Sequence, residues 1–403
     1  MTAAARVGCF AAVVAAAAIA CASCAPAPTP TASPTRSPSA AATPTPSPSP
    51  DEAATPAENA VAAMTLRERA ASVVMGHIPT TDAAALHSYM SETGIGGFIL
   101  MGANMPADEA ALQEITAALT VDPANPPLIA IDQEGGDVSR LPWDDLPAPY
   151  ELQQADPSAS EAAYSGRAAL LAQSGITVNF GIVADVSADP ASFIHRRVLG
   201  TTPDSGAARV AAAVKGEQGV VLSTLKHFPG HGAAPGDSHA SIPSTGMTLD
   251  QWRAADALPF GAGIDAGAEL LMYGHLAYTA VDAAPASLST EWHRIAREEL
   301  GFDGVAITDD LGMLQASGID VYADPVANAV AALAAGNDMV LTVVYSTADT
   351  APQTVDGIVA AVESGALPAE RLQEAAERVT ELRLAIAEAD GGELPCTTCE
   401  PAG

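Results

Sequence analysis

From about residue 57 to residue 390 the chain repeats one unit, a short apolar run followed by an alanine-rich amphipathic stretch. The apolar runs are Ser72–Gly76, Ile95–Met101, Leu128–Ile131, Thr177–Phe180, Val220–Leu225, Glu269–Met272, Gly304–Thr308 and Asp338–Val343. Runs this short and this uniformly apolar read as strands buried on both faces, which is the signature of a parallel sheet. Between and after them lie helical patterns at Asp108–Leu119, Ser160–Gly175, Asp204–Gln218, Thr290–Leu300, Pro325–Ala335, Thr354–Ser364 and Pro368–Ala387. Strands alternating with helices define βαβ units. Eight such units in about 330 residues fit a single (β/α)8 TIM-type barrel of the α/β class, with insertions, better than an open doubly wound sheet. No G-x-G-x-x-G follows an early strand, as a dinucleotide-binding sheet would require.

The segments flanking this repeat have other compositions. Residues 1–23 read as a signal peptide: Arg6 is the only early charge, and the apolar run Val7–Ala20 is too short to span a membrane and ends in small residues. Cys21 and Cys24 each follow small residues, which resembles a bacterial lipobox and makes them the candidate acylated cysteines. Residues 24–56 form a Pro/Ser/Thr-rich disordered linker; 10 of the chain's 31 prolines fall within residues 25–56, a composition that builds no core and favours extended polyproline II. Residues 57–390 form the barrel domain, and residues 391–403 a tail in which Cys396 and Cys399 are spaced for a local disulfide. The expected location is therefore outside the cytoplasm, lipid-anchored to the cell membrane, with no other membrane contact. The 17 basic against 48 acidic residues give a net charge of −31, which excludes nucleic acid and anionic surfaces as partners, because phosphate binding needs clustered Lys and Arg.

Three polar motifs fall just after predicted strands, which in a barrel is the rim that carries active sites. The densest is Lys226-His227-Phe228-Pro229-Gly230-His231-Gly232 followed by Asp237-Ser238-His239. It holds three of the chain's eight histidines and one of its two lysines, on a loop punctuated by Gly and Pro. An Asp two residues before a His can orient the imidazole and support its protonated form. His231, between two glycines, reads as a packed structural histidine. A metal reading would use His227, His231, His239 and Asp237, but no second His-rich motif completes a site with metal spacing, and the expectation is no metal and no cofactor. The second motif, Asp132-Gln133-Glu134-Gly135-Gly136 with Arg140 further on, puts an acid at a strand end beside a Gly pair, which suits carboxylate contacts with a polyol or, equally, a salt-bridged turn. The third, Thr308-Asp309-Asp310-Leu311-Gly312, offers Asp309 as an inward-pointing nucleophile and Asp310 as the cap of the next helix.

Together these motifs resemble glycoside hydrolase family 3, and within it the bacterial β-N-acetylhexosaminidase branch. Pro285-Ala286-Ser287-Leu288-Ser289, the stretch from Arg297 to Ile307 and Ala335-Gly336-Asn337-Asp338-Met339 extend the likeness over roughly residues 60–385. The resemblance implies Asp309 as nucleophile and His239 as general acid/base, with Asp237 as its partner. It implies Asp132, Arg140, Lys226 and His227 as sugar-binding residues. Arg197 matches a binding arginine, with Arg196 as the competing counterpart. Asp137 departs from the pattern, since an Arg usually follows the Gly pair. The implied activity is exo-acting, retaining release of terminal β-linked GlcNAc from peptidoglycan fragments, so the partner is a carbohydrate. The rival readings are a phosphorylase of the same family, a β-glucosidase, a non-catalytic wall-binding lipoprotein and a metal-dependent barrel hydrolase.

Overall fold

A computed structural model describes residues 54–389. The expected signal peptide, most of the linker, the acylation candidates Cys21 and Cys24 and the Cys396/Cys399 tail lie outside the described residues. The strands are β1 (Val74–Gly76), β2 (Gly97–Leu100), β3 (Leu128–Ile131), β4 (Val178–Val183), β5 (Leu222–Phe228), β6 (Ser244–Thr245), β7 (Leu270–Tyr273), β8 (Ala277–Tyr278), β9 (Val305–Asp310) and β10 (Met339–Leu341). Eight close into a barrel in the order β1-β2-β3-β4-β5-β7-β9-β10, with β10 returning to β1 and every pairing parallel. All eight predicted runs are barrel strands. β6 and β8 pair separately as a two-stranded ribbon above the rim, too short to leave a sequence signal.

Alternate side chains of the strands fill the lumen, as the period of two requires. Met75, Ile99, Ala130, Phe180, Met272, Ile307 and Leu341 form one buried cluster there. Ile129 and Ile131, one residue out of phase with Ala130, pack instead against the outer helices. The last helix, Ala369–Glu388, crosses the N-terminal mouth: Val379 and Ile386 join the lumen cluster, and Arg383 donates to the carbonyls of Asn125 and Pro126 just before β3. Asp338, at the start of β10 and fully buried, holds this end together by pairing with Arg297, Arg371 and Arg378. The predicted helix Thr290–Leu300 is α-helical over Thr290–Arg294 and widens to a π-turn over Ile295–Glu299. From that turn Arg297 reaches Asp338 and the carbonyls of Phe302 and Gly304.

Helix starts follow the sequence. Thr65 and Glu68 make a capping box, Asp108 accepts from the amide of Ala111, and Pro157, Pro203 and Pro325 occupy first helical positions. The first described helix, Pro56–Ala63, opens on the last position of the expected linker. Register shifts occur between β4 and β5, β5 and β7, and β9 and β10. Bulges of this kind re-aim side chains at a barrel's active rim.

Candidate active site

The site is a cavity of about 190 Å³ at the C-terminal ends of the strands. Its floor begins where β3 ends. Gly135 and Gly136 have φ of 88° and 66° and turn the chain back on itself; a side chain at Gly135 would strike the guanidinium of Arg167. Gln133 is buried and clamps the turn, accepting from the amides of Arg140 (2.8 Å) and Leu141 (3.0 Å) and donating to Ser139 and Asp144. The turn thus presents Asp132, Glu134 and Arg140 together to the cavity.

Three cations neutralise these two carboxylates. Lys226, on β5, donates to Asp132 (2.9 Å) and lies 2.7 Å from Glu134. Arg140 reaches the other oxygen of Asp132 at 3.1 Å. Arg197 makes a two-pronged pair with Glu134 at 2.7 and 2.9 Å. Burial alone would raise the pKa of Asp132, but Lys226 and Arg140 overcome it and bring the group to about 2. Glu134 is lowered in the same way, against burial, by Lys226 and Arg197. Burial opposes the charge of Lys226, yet Asp132 and Glu134 raise its pKa. The cluster is ionised throughout, with its donors and acceptors held ready.

Behind Lys226 stands a second buried group. Asp185, just past β4, accepts from Nδ1 of His227 at 2.7 Å, from the backbone amide of His227 at 3.3 Å, and from that of His231 at 2.5 Å. Burial would raise Asp185, but His227 and His231 hold it below the usual carboxylate range. With Nδ1 bonded to Asp185, His227 turns Nε2 toward Arg197, 3.4 Å away. The ring of His231 is buried edge-on against Phe193, and burial lowers its pKa. It is packed as expected, but it also lines the cavity, and neither of its ring nitrogens has a hydrogen-bond partner.

Asp309 and Asp310 end β9, and both line the cavity. Asp309 accepts from the amide of Asp310 at 2.8 Å. Burial works against its charge, but His227, His275, that amide and Lys226 outweigh it and keep the carboxyl below its usual range, ionised at neutral pH. Asp310 departs from its predicted role. It remains in the strand, and besides the amide of Gly312 at the next helix it accepts from Val343 and Val344, both at 2.8 Å, tying β9 to the loop after β10. Burial raises it to about 6, opposed by those three amides.

Asp237 and His239 sit on the loop after β5, more than half exposed, with Nδ1 of His239 2.6 Å from Asp237. Burial would raise the pKa of Asp237, but the amide and ring of His239 lower it. His239 lines the same cavity as Asp309. Arg196 faces away from the cavity; it pairs with Asp137 at 2.7 and 3.0 Å and stacks on Tyr150. Of the two arginines only Arg197 lines the cavity, and the unusual Asp137 has a partner. Among the described residues no three His, Cys, Asp or Glu side chains come together in a way that could hold a metal ion; His227 is engaged by Asp185 and His239 by Asp237.

All eight predicted site residues of the barrel are thus around one cavity or, for Asp237, bonded to a residue that lines it. Sequence reasoning missed Glu134 and Asp185 as site members. Asp185 follows a strand end, which is a usable signal, but Gly181 at the β4 bulge makes that strand look shorter than it is.

Residues 65–382 match the model described as "Glycosyl hydrolase family 3 N terminal domain". Fold and match together define a (β/α)8-barrel glycoside hydrolase. A Stenotrophomonas maltophilia protein named beta-hexosaminidase is 34% identical over 299 residues, covering 71% of this chain and 87% of that one. The structure of a family 3 beta-N-acetylglucosaminidase from Paenibacillus sp. superposes with a TM-score of 0.75 at 31% identity over 80% of this chain, which spans only 63% of that protein's length. That of a beta-N-acetylhexosaminidase from Beutenbergia cavernae superposes with a TM-score of 0.69 at 29% identity, covering 79% of this chain and 98% of the other. The chain belongs to glycoside hydrolase family 3.

Proposed function

We propose that this protein is an exo-acting, retaining β-N-acetylhexosaminidase that releases terminal β-linked GlcNAc from peptidoglycan fragments. The observation that carries the reading is one cavity lined by both a half-buried, ionised carboxylate, Asp309, and an imidazole, His239, whose Nδ1 is taken by Asp237. The names of the relatives support the substrate class. Asp309 attacks the anomeric carbon while Nε2 of His239 gives its proton to the leaving oxygen, so the C–O bond breaks as the glycosyl–enzyme bond forms. In the second step the neutral imidazole takes a proton from water, whose oxygen attacks the same carbon and frees Asp309. Asp132, Arg140, Arg197, Lys226 and His227 bind the sugar hydroxyls, with Glu134 and Asp185 holding them in place. No metal or organic cofactor enters any step.

The proposed setting is the outer face of the cell membrane, reached by a lipid on Cys21 or Cys24. The proline-rich composition of residues 25–56 supports a tether between such an anchor and the barrel.

The test compares p-nitrophenyl β-GlcNAc with the β-glucoside, with and without phosphate. The proposal expects β-GlcNAc to be favoured at least about tenfold in kcat/KM, or about 1.4 kcal/mol, with no need for phosphate. Equal rates on the two sugars would make the enzyme a β-glucosidase. A sugar phosphate as the main product would make it a phosphorylase.

A further inference from the structure

Two motifs that extend the family likeness, Pro285-Ala286-Ser287-Leu288-Ser289 and Ala335-Gly336-Asn337-Asp338-Met339, take no part in the chemistry derived above. In the fold both lead to the backbone that carries Asp309. That backbone lacks the regular support of the rest of β9. Pairing with β7 runs from Val305 to Thr308 and stops there. On the other side Met339 pairs with Ile307 but Leu341 pairs with Asp310, so β9 carries one residue more than β10 over this stretch, and Thr308 and Asp309 lie in the bulge. A bulge re-aims a side chain but disrupts the ladder that would hold it. The end of β9 must therefore be placed by other contacts.

His275 supplies one. It lies just past β7, is fully buried and is not among the residues that line the catalytic cavity. Its Nε2 donates to the carbonyl oxygen of Asp310 at 2.8 Å; a carbonyl only accepts, so this nitrogen carries a hydrogen. Its Nδ1 is 2.7 Å from the hydroxyl oxygen of Ser287. Burial lowers the pKa of the ring, against the pull of Asp309, and so favours the neutral form, with Nδ1 accepting from that hydroxyl. Ser287 is itself fully buried; its carbonyl accepts from Nδ2 of Asn337 at 2.8 Å, and its amide donates to the carbonyl of Gly274 at 3.2 Å. A continuous run of buried bonds thus passes from Asn337 through Ser287 and His275 to the backbone of Asp310. The amide of that same residue donates to the carboxylate of Asp309 at 2.8 Å. Asp310 is gripped at its carbonyl by His275 and at its amide aims the nucleophile.

We propose that His275, oriented by Ser287, is a positioning residue for the nucleophile, fixing the backbone of Asp310 so that the Asp309 carboxylate keeps the direction and distance its attack requires. The inference rests on Asp309 being the nucleophile of the hexosaminidase reading. His275 touches no substrate and moves no proton in either step; it acts through the peptide next to the reacting group.

The full chain is assayed with p-nitrophenyl β-GlcNAc, and free GlcNAc is titrated as a competitive inhibitor to read sugar binding apart from turnover. His275→Leu removes the donor. It should lower kcat about tenfold to a hundredfold, the scale of a misplaced reacting group, while the inhibition constant of GlcNAc stays within about twofold. His275→Gln offers an amide donor to the same carbonyl and should recover kcat to within about fivefold of wild type. Ser287→Ala leaves the ring in place without its Nδ1 partner and should lower kcat about threefold to tenfold. The pH–rate profile should keep its shape in all three. Wild-type kcat in His275→Leu and Ser287→Ala would overturn the inference, as would a GlcNAc inhibition constant that rises in step with the loss of kcat. His275→Gln no better than His275→Leu would reduce the ring to packing and overturn it too, and a pH–rate limb lost in His275→Gln would make it a proton carrier instead. Should His275→Leu fail to fold, Ser287→Ala decides, and a kcat within about twofold of wild type overturns the inference. A wild type that prefers the β-glucoside would refute the hexosaminidase reading alone, and the same variants on that substrate would still test the role of His275.

Discussion

Replacing Glu134 by Gln removes one negative charge from the most tightly paired group in the site while keeping its shape. Glu134 is fully buried and meets Lys226 at 2.7 Å and Arg197 at 2.7 and 2.9 Å. Lys226 would retain Asp132, but Arg197 would lose its two-pronged carboxylate. Stripping one partner from a buried ion cluster costs about 3–5 kcal/mol, and the amide's remaining acceptor places this change near about 3. For about 340 ordered residues the unfolding entropy at Tm is roughly 0.7 kcal/mol/K, so Tm should fall by about 4 °C. The sign of the pH dependence is fixed by the lowered pKa of Glu134. Its stabilising contribution is fully present above the unfolded carboxylate range and is lost as pH falls through the folded value. The gap between wild type and Glu134→Gln should therefore be constant from about pH 5 to 8 and close below about pH 4. Thermal denaturation followed by circular dichroism at several pH values measures it. A variant within about 1 °C of wild type would refute the claim that the cluster is held by paired charges.

Asp310→Ala should reduce stability by freeing the amides of Gly312, Val343 and Val344, and should leave measurable turnover; complete loss with an unchanged Tm would make it a chemical participant. His239→Ala should slow release of poor leaving groups more than of activated phenolates, because only the former need a proton; equal slowing would count against an acid role. Asp237→Asn should lower kcat and alter the pH–rate profile, while EDTA should change nothing. Labelling with a palmitate analogue should tag the wild type and lose the tag when Cys21 and Cys24 are both replaced; an untagged wild type would make the protein a plain secreted one.

The barrel was legible because each strand is buried on both faces and so leaves an uninterrupted apolar run. Asp132 and Asp309 were legible because each directly follows such a run, and Lys226, His227, Asp237 and His239 because they crowd one Gly/Pro-punctuated loop. What stayed hidden depends on tertiary contact. The bond from Asp310 to Val343 and Val344 spans more than thirty positions in the chain, and nothing local distinguishes it from a helix cap. Asp185 was masked by Gly181, which reads as a strand terminator and is in fact part of a bulge. The distinction between Arg196 and Arg197, adjacent in sequence, came only from their partners, Asp137 on one side and Glu134 on the other.

The central claim is that Asp309 forms the covalent bond to the sugar. A slow fluorinated β-GlcNAc analogue with a good leaving group should trap that intermediate on the full-length enzyme. Mass spectrometry of the digested protein should then find the added sugar on Asp309, and Asp309→Ala should carry none. Label on Asp310, on any Glu, or on no residue while the analogue is turned over would contradict the account.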